Sequence, residues 1–220
     1  MPKLDEQTQK ARREQILDAA ERCFTRQGFH GASMQDICRE AGVSPGALYI
    51  YFTSKEGLIA GICEREKAKL GQALASVSEA PDFLAALARL AETYCLDEPQ
   101  EKLRLQLEIN AEAMRNPDIG RMVAEIDKFV VTSLERLIAD AKAKGRIDPP
   151  NDPATTALLI SMLGDGLFVR RALDPDFDGK ACMPALLSLI SSLIGPVNKG
   201  GTANVEPPGS DREKVGAQDV

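Results

Sequence analysis

Apolar residues recur along most of this chain at intervals of three and four, the period of helices with one buried face. No long β-branched run alternates with polar residues, and no pair of such runs flanks an Asn-Gly or Asp-Gly turn. Breakers divide the helical pattern. A first helix is predicted over about 7–27, ended by Gly28 and Gly31, and short helices over about 34–41 and 45–51 flank Gly42-Val43-Ser44. Thr53-Ser54 opens a long helix reaching about 79. Further helices are predicted over about 81–96, 100–115, 117–145, 153–173 and 181–194, punctuated by Pro81, Pro99, Pro117, Gly145, Asp152-Pro153 and Gly195-Pro196. The pattern predicts an all-α chain of about nine helices.

Residues 196–220 hold almost no bulky apolar groups, cannot offset their ordering entropy, and are expected to form a disordered tail. The other 195 residues of the 220 are enough to bury a core without disulfides or a metal. Charged residues make up 27% and the net charge is −6, which argues against a protein coated in nucleic acid. The balance is uneven. Residues 1–55 hold eight Lys/Arg against seven Asp/Glu, and residues 56–220 nineteen against twenty-six. A slightly basic head on an acidic body permits DNA contact through the head alone. No 18-residue apolar span occurs, and the opening Met-Pro-Lys-Leu-Asp-Glu-Gln lacks an apolar signal core, so a cytoplasmic protein without membrane contact is expected.

Five scattered cysteines, no CxxC and the single His30 argue against a Cys/His zinc site, and no cofactor is expected. The thiols read as small apolar residues.

The head has a specific layout. Ile16, Ala20, Cys23 and Phe24 form one stripe on the first helix, with Arg12, Arg13, Arg22 and Arg26 largely elsewhere. Ser33 and Asp36 are spaced as a capping box for the second helix. Gly42 can take positive φ and reverse the chain, and Ser44 caps a third helix with Pro45 at its first position. Leu48 and Phe52 can anchor that helix, while Gly46, Ala47, Tyr49 and Tyr51 fall on other faces. Its small N-terminal surface permits close approach to a groove, and its first turn suits a phosphate. The tyrosines can offer hydroxyls to phosphates and ring edges to bases, and Lys55 a cation to the backbone. Short helix, glycine turn and short helix make the helix-turn-helix layout; a purely structural helical hairpin has the same spacing.

Residues 12–60 carry a resemblance beyond spacing. Arg12-Arg13-Glu14-Gln15-Ile16-Leu17-Asp18-Ala19-Ala20, Gly28-Phe29, Met34-Gln35-Asp36-Ile37, Ala41-Gly42-Val43-Ser44, Leu48-Tyr49-Ile50-Tyr51-Phe52 and Ser54-Lys55-Glu56-Gly57-Leu58 resemble the N-terminal domain of TetR/AcrR-type transcriptional regulators. Gly164-Asp165-Gly166-Leu167-Phe168-Val169-Arg170-Arg171-Ala172-Leu173 more weakly resembles the C-terminal part of a BetI-like subset. The resemblance implies a helix-turn-helix domain over 1–54 and a ligand-binding and dimerisation domain over 55–195. It implies a homodimer that represses transcription from a palindromic double-stranded operator and is released by a small molecule. Carried over by position, Ser33, Ser44, Pro45, Gly46, Ala47, Tyr49, Tyr51 and Lys55 would face DNA. Two departures stand out. Cys38 replaces the usual Ala, and the third helix lacks Arg, Lys, Asn and Gln, so bidentate base contacts are unavailable from it. Shape readout, or Gln35 and Arg39 of the second helix, would then carry more of the specificity.

Two short recognition helices need a dimer to span successive turns of DNA. The candidate dimer face is Ile160, Gly164, Leu167 and Phe168 on one helix with Leu186, Ile190 and Leu193 on the last; packing within one subunit is the alternative. Candidate walls of a chamber for a lipophilic inducer are Phe83, Leu87, Tyr94, Leu107, Met114, Met122, Ile126 and Phe129, any of which ordinary core packing also explains. Glu108, Asn110 and Asp165 interrupt apolar stretches and need partners if buried; a ligand could supply them, or Arg170 or Arg171 could pair with Asp165 across a dimer. An acidic lining would favour a cationic ligand.

An efflux pump is the expected target of control, with a catabolic or osmolyte pathway as the alternative. An enzyme has little support: no GxSxG, HExxH, Walker or Rossmann signature occurs. A regulator switched by oxidation of Cys23 or Cys38 and a protein-binding helical adaptor complete the competing classes.

Overall fold

The structure, a computed structural model, describes residues 5–195. The expected tail over 196–220 lies outside the described residues. Those residues form nine helices and no strand: α1 (Glu6–Gly31), α2 (Met34–Ala41), α3 (Pro45–Tyr51), α4 (Lys55–Glu79), α5 (Phe83–Leu96), α6 (Gln100–Ala113), α7 (Pro117–Ala143), α8 (Pro153–Leu173) and α9 (Gly179–Ile194).

Most helices begin where a short polar side chain can take an orphan N–H. Asp5 accepts from Thr8, Asp82 from Ala85, Asp152 from Thr155 and Asp178 from Ala181. Asn116 accepts from Asp118 and Ile119 ahead of Pro117. Only α6 starts without a side-chain cap, after Pro99. The first helix differs from its expected end. It breaks at Gly28 (φ 74°, ψ 165°), then closes with one more turn to Gly31. That backbone setting is one that only glycine adopts readily.

The core falls into two clusters. The upper one gathers Ile16, Leu17, Phe24, Ile37, Leu48, Phe52, Leu58 and Ile59 of the first four helices. It does not stop at the head: Leu105, Ile109 and Ile119 of α6 and α7 belong to it. Full burial of a side chain such as Ile16, Leu17 or Phe24 contributes about 1.5–3 kcal/mol each. The lower cluster joins Leu74, Val77, Phe83, Leu87, Leu137, Ile138, Ala157, Ile190 and Ile194 from α4, α5, α7, α8 and α9. Arg146 ties its lower end, donating to the Ser78 carbonyl at 2.9 Å and to that of Ala80, with its guanidinium 5.3 Å from the Phe83 ring centroid.

Candidate nucleic-acid interface and ligand cavity

The α2–turn–α3 unit is held from behind by α1. Gln15 donates to the Ala41 carbonyl at 2.8 Å, satisfying the end of α2. Arg22 and Arg26 both reach Glu40 of α2, at 2.8 and 3.1 Å, and hold its carboxyl below the usual carboxylate range. These two arginines clamp the head. Ser33 and Asp36 close a full capping box, and Ser33 holds the Asp36 carboxyl low. Gly42 (φ 63°) turns the chain, and Ser44 caps α3 at the Ala47 N–H.

This packing presents one surface outward. Ser33, Gln35, Ser44, Pro45 and Gly46 are exposed and Ala47 is half-buried. Tyr49 is 50% exposed, whereas Tyr51 is half-buried against the upper core, so the two tyrosines are not equivalent. Arg39 is exposed and paired with Asp36 at 3.3 Å. Lys55 differs from its expected setting. Its ammonium donates to the Phe29 carbonyl at 2.7 Å and to that of His30 at 3.3 Å, and rests on the Phe29 ring. It closes the broken end of α1. Ile50, which spacing did not single out, is 80% exposed between the tyrosines. Its place between two DNA-facing candidates on a helix anchored by Leu48 and Phe52 was the signal available for it.

Below the head lies a cavity of about 300 Å³, at the lower end for small-molecule sites. The α4 helix supplies Ile59, Ile62, Cys63, Glu66, Lys67 and Leu70, one unbroken face at three-and-four spacing. The opposing walls come from Leu103 and Gln106 of α6, Phe129 of α7 and Phe168 of α8, and Glu21 of α1 reaches in from the head. Burial pushes the Cys63 thiol up to about 11, with Glu66 and Glu64 adding to the rise; burial raises the Cys23 thiol as well. A raised thiol is less readily oxidised, which weighs against an oxidation switch at Cys23.

Three of the expected chamber residues, Tyr94, Ile126 and Phe129, line this cavity. The others are placed elsewhere. Phe83 and Leu87 belong to the lower core, Met114 is 83% exposed at the end of α6, Met122 packs against the upper core, and Leu107 is half-buried off the wall. Glu108 turns toward the head, where it accepts the Phe29 N–H at 3.1 Å. Asn110 accepts from Gln106 at 3.1 Å. Both polar groups therefore find partners in the chain. The α6 helix meets the head along one side and the cavity along another, so apolar spacing alone could not say which residues face which.

The expected dimer residues fall in several settings within the protomer. Leu167 and Ile190 are buried within the protomer, Phe168 lies on the cavity wall, and Ile160 and Leu186 pack against the lower core. Gly164 faces open space and Leu193 is half-buried. The outward apolar stripe of α8 is instead Leu158, Met162, Val169 and Leu173, with Leu189 exposed on α9. Asp165 lies on the same stripe, its carboxyl pushed up by partial burial and by Asp127. Arg171 turns away from it, donating to the Glu98 carbonyl at 2.9 Å.

Among the described residues no group of His, Cys, Asp and Glu is arranged to hold a metal, and no helix is long and apolar enough to cross a membrane.

Comparison with known proteins agrees with this architecture. Residues 16–62 match the model of bacterial regulatory proteins of the tetR family, and residues 84–195 match the C-terminal part of BetI-type transcriptional repressors. The transcriptional regulator UidR of Escherichia coli K12 is 33% identical over 159 residues, covering 70% of this chain and 79% of its own. The regulator BetI of Agrobacterium fabrum is 29% identical over 191 residues, 85% of this chain and 88% of its own. In structure, GusR of Salmonella enterica superposes with a TM-score of 0.67 at 30% identity, over 84% of this chain and 95% of its own. With a helix-turn-helix head that matches one family model and a helical body that matches its companion, the chain belongs to the TetR family of helix-turn-helix transcriptional regulators.

Proposed function

We propose that this chain is a ligand-responsive repressor that binds a palindromic operator as a homodimer in the cytoplasm and leaves it when a small molecule occupies the cavity. The head over 1–54 reads DNA and the body over 55–195 binds ligand and dimerises. The observation that carries the reading is a shared wall. Helix α4 lines the cavity from Ile59 to Leu70, while Leu58 and Ile59 are buried in the head core, and Glu21 of α1 reaches the cavity directly. A ligand bound there touches the elements that orient α3. It shifts the population toward a head spacing unsuited to DNA, provided it binds that state better.

On the DNA side, Ser33, Gln35, Ser44, Pro45, Gly46, Ala47, Tyr49, Tyr51 and Lys55 form the contact set, to which exposure adds Ile50. With no Arg, Lys, Asn or Gln on α3, apolar contact to thymine methyls and tyrosine hydroxyls to phosphate do the work there. The mainly apolar cavity suits a lipophilic inducer of the kind an export pump removes, so pump genes are expected beside the operator. A catabolic or osmolyte gene cluster there assigns the alternative pathway.

The test is in vitro selection of bound fragments from the source genome at physiological salt. Enrichment of an inverted repeat is expected, bound with an affinity that falls steeply as salt rises. Recovery of nothing beyond bulk DNA overturns the reading and moves the protein-binding adaptor ahead.

A further inference from the structure

The cavity's charges are not equivalent. Three carboxylates line it, Glu21, Glu66 and Glu98, and by count alone they would favour a cationic ligand. Each is already engaged. Lys102 binds Glu21 at 2.6 Å and lies 3.6 Å from Glu98, and Arg65 also pairs with Glu21. Glu66 holds Lys69 at 2.8 Å, with Arg65 beside it at 3.8 Å. Arg65 is 11% exposed and makes a further bond to Asp18 at 2.6 Å, although its Nε has no hydrogen-bond partner, so the carboxylates are shared among the protein's own cations. A cationic ligand would have to displace a lysine or arginine from a partly buried pair, leaving that cation without its partner.

Lys67 stands apart. It lines the same cavity, yet among the described residues no carboxylate lies within ion-pair distance of it. Its ammonium rests 4.8 Å from the centroid of the Phe129 ring, another lining residue. A cation over an aromatic face is held only weakly where solvent reaches it. A carboxylate makes the stronger, charge-assisted hydrogen bond. Of the remaining walls, Ile59, Ile62, Leu70, Ile126, Val130 and Phe168 offer apolar contact alone, while Tyr94 and Gln106 add a neutral hydroxyl and an amide that carry no charge for an anion.

Resting on the reading of this cavity as the inducer chamber, we infer that it selects an amphipathic anion: an apolar body of small volume carrying one carboxylate or similar group, anchored by Lys67. The body packs between α4 and α7, and the anion draws the ammonium off Phe129 without breaking a pair.

Three probes with one body and different heads decide it: phenylbutyrate, phenylbutanol and phenylbutylamine, titrated calorimetrically into the full-length protein. Phenylbutyrate is expected to bind about tenfold more tightly than either of the others. Lys67→Met, which keeps the apolar stem, should remove that advantage while leaving phenylbutanol unchanged. Tighter binding of phenylbutylamine, equal binding of acid and alcohol, or an unaltered acid affinity in Lys67→Met overturns the anion assignment. In those cases Phe129→Trp, which fills the cavity, separates the two readings: alcohol binding lost in that variant leaves the chamber standing without its anion preference. If none of the three probes binds, the chamber reading fails along with the inference.

Discussion

Two glycines with positive φ shape the head, Gly28 ahead of the DNA-reading unit and Gly42 within its turn, and they are not alike. Gly42 sits in the ordinary left-handed region (φ 63°, ψ 32°), and a Cβ there would meet nothing within 4 Å. Its substitution by Ala carries only the conformational cost, about 1–2 kcal/mol. Gly28 is set at φ 74° and ψ 165°, where side chains hardly occur, and a Cβ would lie 2.9 Å from the Glu108 carboxylate. Gly28→Ala therefore adds a clash to the strain and should exceed Gly42→Ala, at about 2–3 kcal/mol. Urea midpoints of the two variants check the order. Equal losses would mean that the α1 corner and Glu108 adjust freely around a new methyl group.

Between the head and the body, α6 adds a polar grip to the contacts that α4 and α7 also make. Glu108 and Glu112 stand one turn apart on α6 and grip the broken end of α1: Glu108 takes the Phe29 N–H at 3.1 Å and Glu112 meets His30 at 3.0 Å. Their surroundings differ. His30 is 63% exposed on its side chain, so that pair contributes only about 0–1 kcal/mol. The Glu108 bond serves a backbone donor of a buried residue, and removing the acceptor leaves that donor unmet, costing about 1–3 kcal/mol. Glu108→Ala should thus lower the denaturation midpoint clearly more than Glu112→Ala; equal effects would show that water reaches the Phe29 N–H. This grip also marks where sequence reading stops. The helix starts were legible because Ser33, Ser44, Asp152 and Pro153 act locally, each on a backbone group three or so residues away. The stripe of α4 that lines the cavity was in principle legible too, being a continuous series from Ile59 to Leu70. The rotation of α6 and α8 was not. Both helices are apolar on more than one side, and which side meets the head, the cavity or solvent depends on neighbours remote in the chain. For that reason spacing did not show that Glu108 meets the head, that Leu167 is buried or that Phe168 lines the cavity, while Lys67 and Glu21 were passed over because a charged residue on a long helix reads as a solvated face.

In the proposed dimer the two α3 helices must reach successive major-groove faces about 34–36 Å apart, a spacing that only a fixed subunit contact can set. The surface suited to it is the outer stripe of α8, Leu158, Met162, Val169 and Leu173, continued by Leu189 of α9. The four α8 residues recur at intervals of four, seven and four, and so lie on one side of the helix. A twofold contact brings this stripe against its own copy, so one substitution acts twice. Met162, near the middle and 58% exposed, is the point to test. Met162→Arg would place a bulky charged side chain from each subunit in an apolar contact whose one carboxylate on the stripe is Asp165, and should yield monomers in sedimentation with helical content unchanged. Operator affinity should collapse with the dimer, because a single head touches too few base pairs. Met114→Arg is the matching control: Met114 is more exposed, at 83%, yet stands alone at the end of α6, where a lone apolar residue has no assembly role. That variant should retain both the dimer and the operator. A Met162→Arg protein that still sediments as a dimer would remove the α8 stripe from the interface, and with it this account of how the two heads are spaced.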